Sequence, residues 1–212
     1  MGEIDNKYKS ILNFNPVIST RPEEWRDYLY SFNAGERNST FTDFLFNEYQ
    51  DYSEAGDGAT YVIINTAGIR NDNNPDIVGY FTISANAIPA ISRVRDDLTG
   101  NVDEETWGIP VMEIKLFAIN ELYQDVFYES EELKAPISAW CLLNLVNLAN
   151  QFINTVMGFK ALFLHSVPEA EEFYKRNGFI EIKENMIPLQ EIDSEYTPLW
   201  MPLREIGIPY DE

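Results

Sequence analysis

The sequence has little cysteine, histidine or basic charge, and it lacks long apolar runs. It contains one cysteine, Cys141, and one histidine, His165, in 212 residues. A lone cysteine excludes an internal disulfide and a zinc site built from cysteines, so we expect no metal and a reducing, cytoplasmic location. No run of about 18 apolar residues occurs, so the sequence predicts no membrane-spanning helix. The first residues also lack the basic and apolar pattern of a signal peptide.

Basic residues are outnumbered by acidic ones, 15 to 35, which gives a net charge of −20. Such a charge repels phosphate backbones, so we do not expect nucleic acid as a partner. It attracts cations, so the expected partner is a cationic or amine-bearing small molecule or protein. High acidity also serves solubility alone, and both interpretations stay open.

Apolar periodicity predicts a single α/β domain over residues 1–212, with residues 1–20 as an N-terminal extension. A chain of this length with 45% apolar residues can bury a substantial core. The spacing predicts helices over 22–32, 41–52 and 136–157, the first of them beginning at Thr20. It predicts strands over 61–65, 77–85 and 109–119, and a surface excursion over 88–108.

The most informative stretch is GFKALFLHSVPEAEEFYKRNGF, residues 158–179. Its apolar run, 161–164, is too short for a buried helix and predicts a strand. A short helix follows, with Pro168 in its first turn and Gly178 placed to take a left-handed cap. The stretch therefore predicts a strand, a helix and a second strand that begins at Phe179.

An alanine, a Phe-Tyr pair and a Gly-Phe pair in this stretch resemble the C-terminal signature of the GNAT superfamily of N-acetyltransferases. The segments IVGYFTISANAI (77–88), IPVMEIKLFAIN (109–120) and TPLWMPL (197–203) resemble other strands of that family. The pattern is most similar to the acetyltransferases of bacterial toxin–antitoxin pairs. The resemblance implies a GNAT fold, which is a mixed central sheet with splayed parallel strands flanked by helices, and a possible homodimer.

The same resemblance implies transfer of an acetyl group from acetyl-CoA to a primary amine. Tyr174 matches the tyrosine that acts as general acid for the departing thiolate, although it could instead be a ring packed in the core. Glu113 stands where some members carry a base that acts through water, although it could instead be a solvated strand residue. His165, next to Ser166, is open to a structural role or a contact with substrate. The strand along acetyl-CoA would comprise Leu116, Phe117, Ala118 and Ile119.

The sequence departs from the family at the glycine-rich turn that holds the pyrophosphate. Asp125 follows Gln124, and the stretch DVFYESEELKAPIS contains no glycine and four carboxylates. A phosphate site would then depend on the start of the next helix, with Lys134, Ile137, Ser138 and Ala139 as its residues. This departure leaves an alternative, a non-catalytic GNAT-fold interaction or regulatory protein that no longer binds acetyl-CoA. A second alternative, a toxin that modifies aminoacyl-tRNA, is opposed by the net charge.

Overall fold

The computed structural model describes residues 9–11, 14, 16–66, 74–95, 102–129, 134–182, 186 and 196–204. The strands are β1 Lys9–Ile11, β2 Val17–Ser19, β3 Ala59–Asn65, β4 Asp76–Arg95, β5 Val102–Ile119, β6 Val126–Glu129, β7 Lys134–Pro136, β8 Ala161–Ser166, β9 Ile180–Glu181 and β10 Thr197–Pro202. The helices are α1 Arg26–Leu29, α2 Ser39–Asp43, α3 Tyr49–Glu54, α4 Glu121–Gln124, α5 Ile137–Thr155 and α6 Pro168–Arg176. Short 3₁₀ turns cover Pro22–Trp25 and Glu36–Asn38, and a π-helical turn covers Phe44–Glu48.

Seven strands form a mixed sheet in the order β2-β3-β4-β5-β8-β10-β9. β5 and β8 are parallel, whereas β8 and β10 are antiparallel. The register of the parallel pair runs from Val111 opposite Ala161 to Glu113 opposite Phe163, and β5 continues beyond it to Ile119. The seven-stranded mixed sheet with flanking helices confirms the predicted fold class.

Contacts divide the chain into two compact units, residues 1–83 with 115–145 and residues 84–114 with 146–212. The core of the first unit contains Phe32, Phe44 and Tyr80. The centre of the Tyr80 ring lies 5.3 Å from that of Phe32 and 6.0 Å from that of Phe44. Within this unit a Cβ on Gly79 would lie 2.5 Å from the carbonyl oxygen of Ala118. Glycine is therefore required there by the close approach of two backbones.

A second, smaller sheet of the first unit has the order β1-β6-β7. β1 is parallel to β6, with Lys9 opposite Val126, and β6 is antiparallel to β7. Two of its strands, β6 and β7, lie in the stretch after Gln124, for which the sequence predicts no strand.

The second unit has its own core around the buried strand β8. Phe163 and Trp200 are buried there, together with Ile109 and Val111 of β5. The predicted strands over 161–164 and 197–203 are confirmed by β8 and β10, and the long helix predicted over 136–157 by α5. Among the helices that the structure describes, none is long and apolar enough to cross a membrane.

Three local predictions are wrong. Residues 88–95 and 102–108 continue β4 and β5 instead of forming a surface excursion, since Ile88 and Ala90 alternate into the core; residues 96–101 lie outside the described residues. The helical region after Thr20 starts only after Arg21, as a 3₁₀ turn without a side-chain cap. The helix predicted over 41–52 is interrupted by the π turn.

Candidate active site

Tyr174 lies in the last turn of α6, in the second unit. Pro168 opens this helix and Gly178, at φ 94°, ends it in the predicted left-handed conformation. The turn brings Phe179 back, so that its N–H donates to the Tyr174 carbonyl at 3.1 Å and its ring lies 5.5 Å from the tyrosine ring. The ring of Phe173 also lies edge-on to the Tyr174 ring, with 5.2 Å between the ring centres.

Burial has a direct effect on the hydroxyl of Tyr174. The residue is 8% exposed, and loss of solvent raises the pKa of its phenol. The group therefore stays protonated through neutral and mildly alkaline pH. A phenol held in this state can donate a hydrogen bond but gives up its proton reluctantly.

Glu113 is buried, so the alternative that it is a solvated strand residue is wrong. It is 3% exposed and lies at the last position at which β5 pairs with β8, opposite Phe163. The amide of Asn86 donates to its Oε2 at 2.6 Å, and Nδ1 of His165 lies 3.7 Å from its Oε1. A carboxylate held beside an imidazole in this way can hold and pass on a proton.

His165 completes this cluster from the end of β8. Its ring packs edge-on against Phe163 at 4.8 Å, and its side chain is 23% exposed. Its Nε2 is buried and has no hydrogen-bond partner in the part of the chain that the structure describes. Sequence reasoning missed the pairing of His165 with Glu113. The signal lay in the parallel register, because Phe163 faces Glu113 and His165 is the next residue on the same face of β8.

The residues predicted to lie along acetyl-CoA form the end of β5, in the first unit. Leu116 and Phe117 are half-buried, whereas Ala118 and Ile119 are buried. The carbonyl of Ile119 accepts a hydrogen bond from the side chain of Gln124 at 2.9 Å. The next residue, Asn120, donates its backbone N–H to Val78 at 2.8 Å, so the strand end is held in place.

The residues predicted to hold phosphate lie on β7 and at the start of α5. Lys134 belongs to β7, where its ammonium lies 3.5 Å from the Glu129 carboxylate and 5.7 Å from the Phe127 ring centre. Part of its charge is therefore offset. α5 begins at Ile137, which is buried, and Ser138 and Ala139 follow half-buried in its first turn. Glu131 and Glu132 of the acidic stretch lie outside the described residues.

The fold is similar to that of toxin acetyltransferases. A tyrosine-to-phenylalanine mutant of the toxin AtaT superposes with a TM-score of 0.60 and 19% identity, covering 93% of this chain and 95% of that one. AtaTR bound with AcCoA superposes with a TM-score of 0.59 and 18% identity, covering 89% of this chain and 92% of that one. AtaT complexed with acetyl-methionyl-tRNAfMet superposes with a TM-score of 0.57 and 18% identity, covering 89% of this chain and 95% of that one. A scan of family models and a search of curated proteins find no match. The chain therefore has the GNAT fold.

Proposed function

We propose that this protein is an N-acetyltransferase that moves an acetyl group from acetyl-CoA to a primary amine. The observation that carries the proposal is Tyr174, which is buried, contacts two phenylalanine rings and is kept protonated, in the signature helix of a GNAT fold. The neighbour AtaTR has been solved with AcCoA, which supports the same donor here. The expected cytoplasmic location and homodimer stay predictions.

Acetyl-CoA would supply a thioester, whose C–S bond breaks as the amide bond to the acceptor nitrogen forms. The Tyr174 hydroxyl would donate a hydrogen bond to the sulfur as negative charge develops on it. A thiol has a pKa near 8.5 and an ordinary phenol near 10, so full proton transfer is uphill, and burial makes it more so. The stabilisation therefore comes from hydrogen bonding in the transition state.

The amine must lose its proton before its nitrogen can attack. Glu113 is the buried acceptor for this proton, oriented by the Asn86 amide at 2.6 Å. The imidazole of His165, whose Nδ1 lies 3.7 Å from Oε1 of Glu113, would share the proton that the carboxylate takes up. Glu113 would thus serve as the base and His165 as its neighbouring proton acceptor.

The acetyl-CoA residues of the first unit fit in part. Backbone groups of Leu116–Ile119 would pair with the pantetheine amides, since an extended chain of amides pairs well with a strand. The N–H groups of Ile137, Ser138 and Ala139, at the start of α5, suit a phosphate, because a helix start carries a partial positive charge. Lys134 adds a cation that Glu129 partly offsets.

Three observations favour two other functions. The pairing of Lys134 with Glu129 and the lack of glycine between Gln124 and Ser138 favour a non-catalytic descendant of the fold. The match to AtaT complexed with acetyl-methionyl-tRNAfMet favours an aminoacyl-tRNA acceptor. The net charge of −20 opposes this second alternative, because docking of tRNA requires a basic surface.

Calorimetric titration of acetyl-CoA and of CoA into the purified protein tests the proposal. We expect weak, saturable binding of both, and the same affinity in a Tyr174→Phe variant, because the hydroxyl acts only in the transition state. If neither acetyl-CoA nor CoA binds at millimolar concentration, the proposal of an acetyltransferase fails and the non-catalytic alternative takes its place. An assay of free thiol release with a panel of primary amines then measures turnover.

A further inference from the structure

A cavity of about 390 Å³ opens in the first unit, beside the π-helical turn. One wall comes from the helical region 40–48 and the other from Leu116 of β5. The lining residues are Thr40, Phe41, Asp43, Phe44, Glu48 and Leu116. Two of them are carboxylates, two are aromatic, and none of the described residues that line the cavity is basic.

The π turn explains why both carboxylates line one cavity. Asp43 and Glu48 are five residues apart, at the start and the end of the turn Phe44–Glu48. In an α-helix, at about 100° per residue, a spacing of five would rotate the second side chain roughly 140° away from the first. A π turn closes its hydrogen bonds between residues five apart, which places such residues close to one face.

Neither carboxylate is used to cap a helix or to form an ion pair with another described residue. Each occupies a cap position, Asp43 before the π turn and Glu48 before α3, yet neither makes a side-chain cap hydrogen bond. Neither has an ion pair or side-chain hydrogen bond within the described part of the chain, and both are exposed. The charge of Glu48 reaches into the unit, since it adds to burial in raising the pKa of Tyr80.

The apolar wall of the cavity is rigid. Phe44 is buried, and its ring stacks on Tyr80 at 6.0 Å and meets Tyr52 edge-on at 5.6 Å. The Tyr80 hydroxyl donates to the carbonyl of Phe41 at 2.8 Å, which fixes the backbone beside the second aromatic ring. Rings held in this way offer a fixed apolar surface and a negative face to a cation.

We propose that this cavity binds a small primary ammonium ion carried on an apolar or aromatic body. Asp43 and Glu48 would pair with the ammonium, while Phe41, Phe44 and Leu116 would contact the body. This inference does not depend on the proposed acetyl transfer.

Binding of two matched probes, without acetyl-CoA, tests the cavity separately from the reaction. 2-Phenylethylamine carries a charge, whereas 2-phenylethanol has the same ring and length without one. We expect the amine to bind more tightly, and added sodium chloride to weaken the amine alone. Asp43→Asn with Glu48→Gln should weaken binding of the amine about two- to thirtyfold, because exposed charge pairs contribute modestly. Glu54→Gln, which removes an exposed charge outside the cavity, is the control.

Equal binding of amine and alcohol, or amine binding that ignores the double substitution, would overturn the proposal, as would no amine binding at all. A separate titration of acetyl-CoA into the double variant keeps the two hypotheses apart. If that titration is normal and the amine no longer binds, the cavity is supported. If acetyl-CoA fails to bind the unaltered protein while the amine binds through Asp43 and Glu48, the proposed function fails and the cavity remains as an amine-binding site.

Discussion

The helix α6 with its glycine cap and the segment from Asn120 to β7 are both short, yet they are built in opposite ways. α6 is set by local signals, with Pro168 in its first turn and Gly178 after its last. The segment after Asn120 is held by distant partners. Its strand β6 pairs with β1 near the start of the chain, and the Asn120 amide donates to the carbonyls of Ser31 and Ile77 at 2.8 Å each.

The difference separates chemistry from architecture. The locally built helix carries Tyr174, whose only predicted contribution to the reaction is one hydroxyl. The segment held by distant partners supports a strand end and a helix start through its backbone. Substitutions in the first should therefore change rates, and substitutions in the second should change stability.

The largest effect is expected for Tyr174→Phe. Turnover should fall on the order of ten- to a thousandfold, the contribution of a single hydrogen-bond donor to charge that develops in the transition state, with little change in acetyl-CoA affinity. Both neighbouring rings can still pack against phenylalanine, so the unfolding midpoint should barely move. Steady-state kinetics with a thermal melt measures both. Unchanged turnover in a folded variant would assign Tyr174 to the core.

Asn120→Ala should produce the largest loss of stability. It removes two donated bonds to Ser31 and Ile77 and the cap that accepts from the Leu122 N–H at 3.2 Å. We expect a loss of about 2–4 kcal/mol, because the buried carbonyls are left unsatisfied. Urea unfolding measures it.

Asn177→Ala is the matched control in the locally built segment. Its amide donates one bond, to the Phe173 carbonyl at 2.7 Å, so the expected loss is only about 0.5–1.5 kcal/mol. Equal losses in the two variants would remove the distinction between the segments.

The smallest effect is expected at Lys134. Lys134→Glu should weaken CoA binding about two- to fivefold, because an exposed charge contributes little. Glu129→Gln releases the lysine from its partner and should tighten binding by a similar factor. Calorimetry on both variants gives the comparison, and indifference to both would place the phosphates away from β7.

The sequence predicted what local signals determine. The apolar residues of α5, the short apolar run of β8 and the glycine after α6 indicated these three elements, whereas the GNAT fold class and the candidate role of Tyr174 came from the resemblance to the family. It could not predict β6, because the pairing of β6 depends on β1, more than a hundred positions earlier, and β7 in turn pairs with β6. The sequence also could not predict the π turn, because the apolar spacing across it closely matches that of an α-helix.

The candidate site divides in the same way. The family pattern identified Glu113 as a candidate, but its burial and its contact with His165 depend on the register of two parallel strands. No local pattern encodes that register. The cavity residues Asp43 and Glu48 look like ordinary surface charges in the sequence, because an α-helical spacing would turn them to different faces.

The parallel pairing of β1 with β6 has a consequence for how the chain is made. Lys9 leaves the ribosome long before Val126, its partner in the register. At about 5–20 residues per second, roughly 6 to 23 seconds separate their synthesis. β1 must therefore wait unpaired while the strands that follow it emerge. Since distant pairings close late, the small sheet is expected to be among the last parts of the nascent chain to fold.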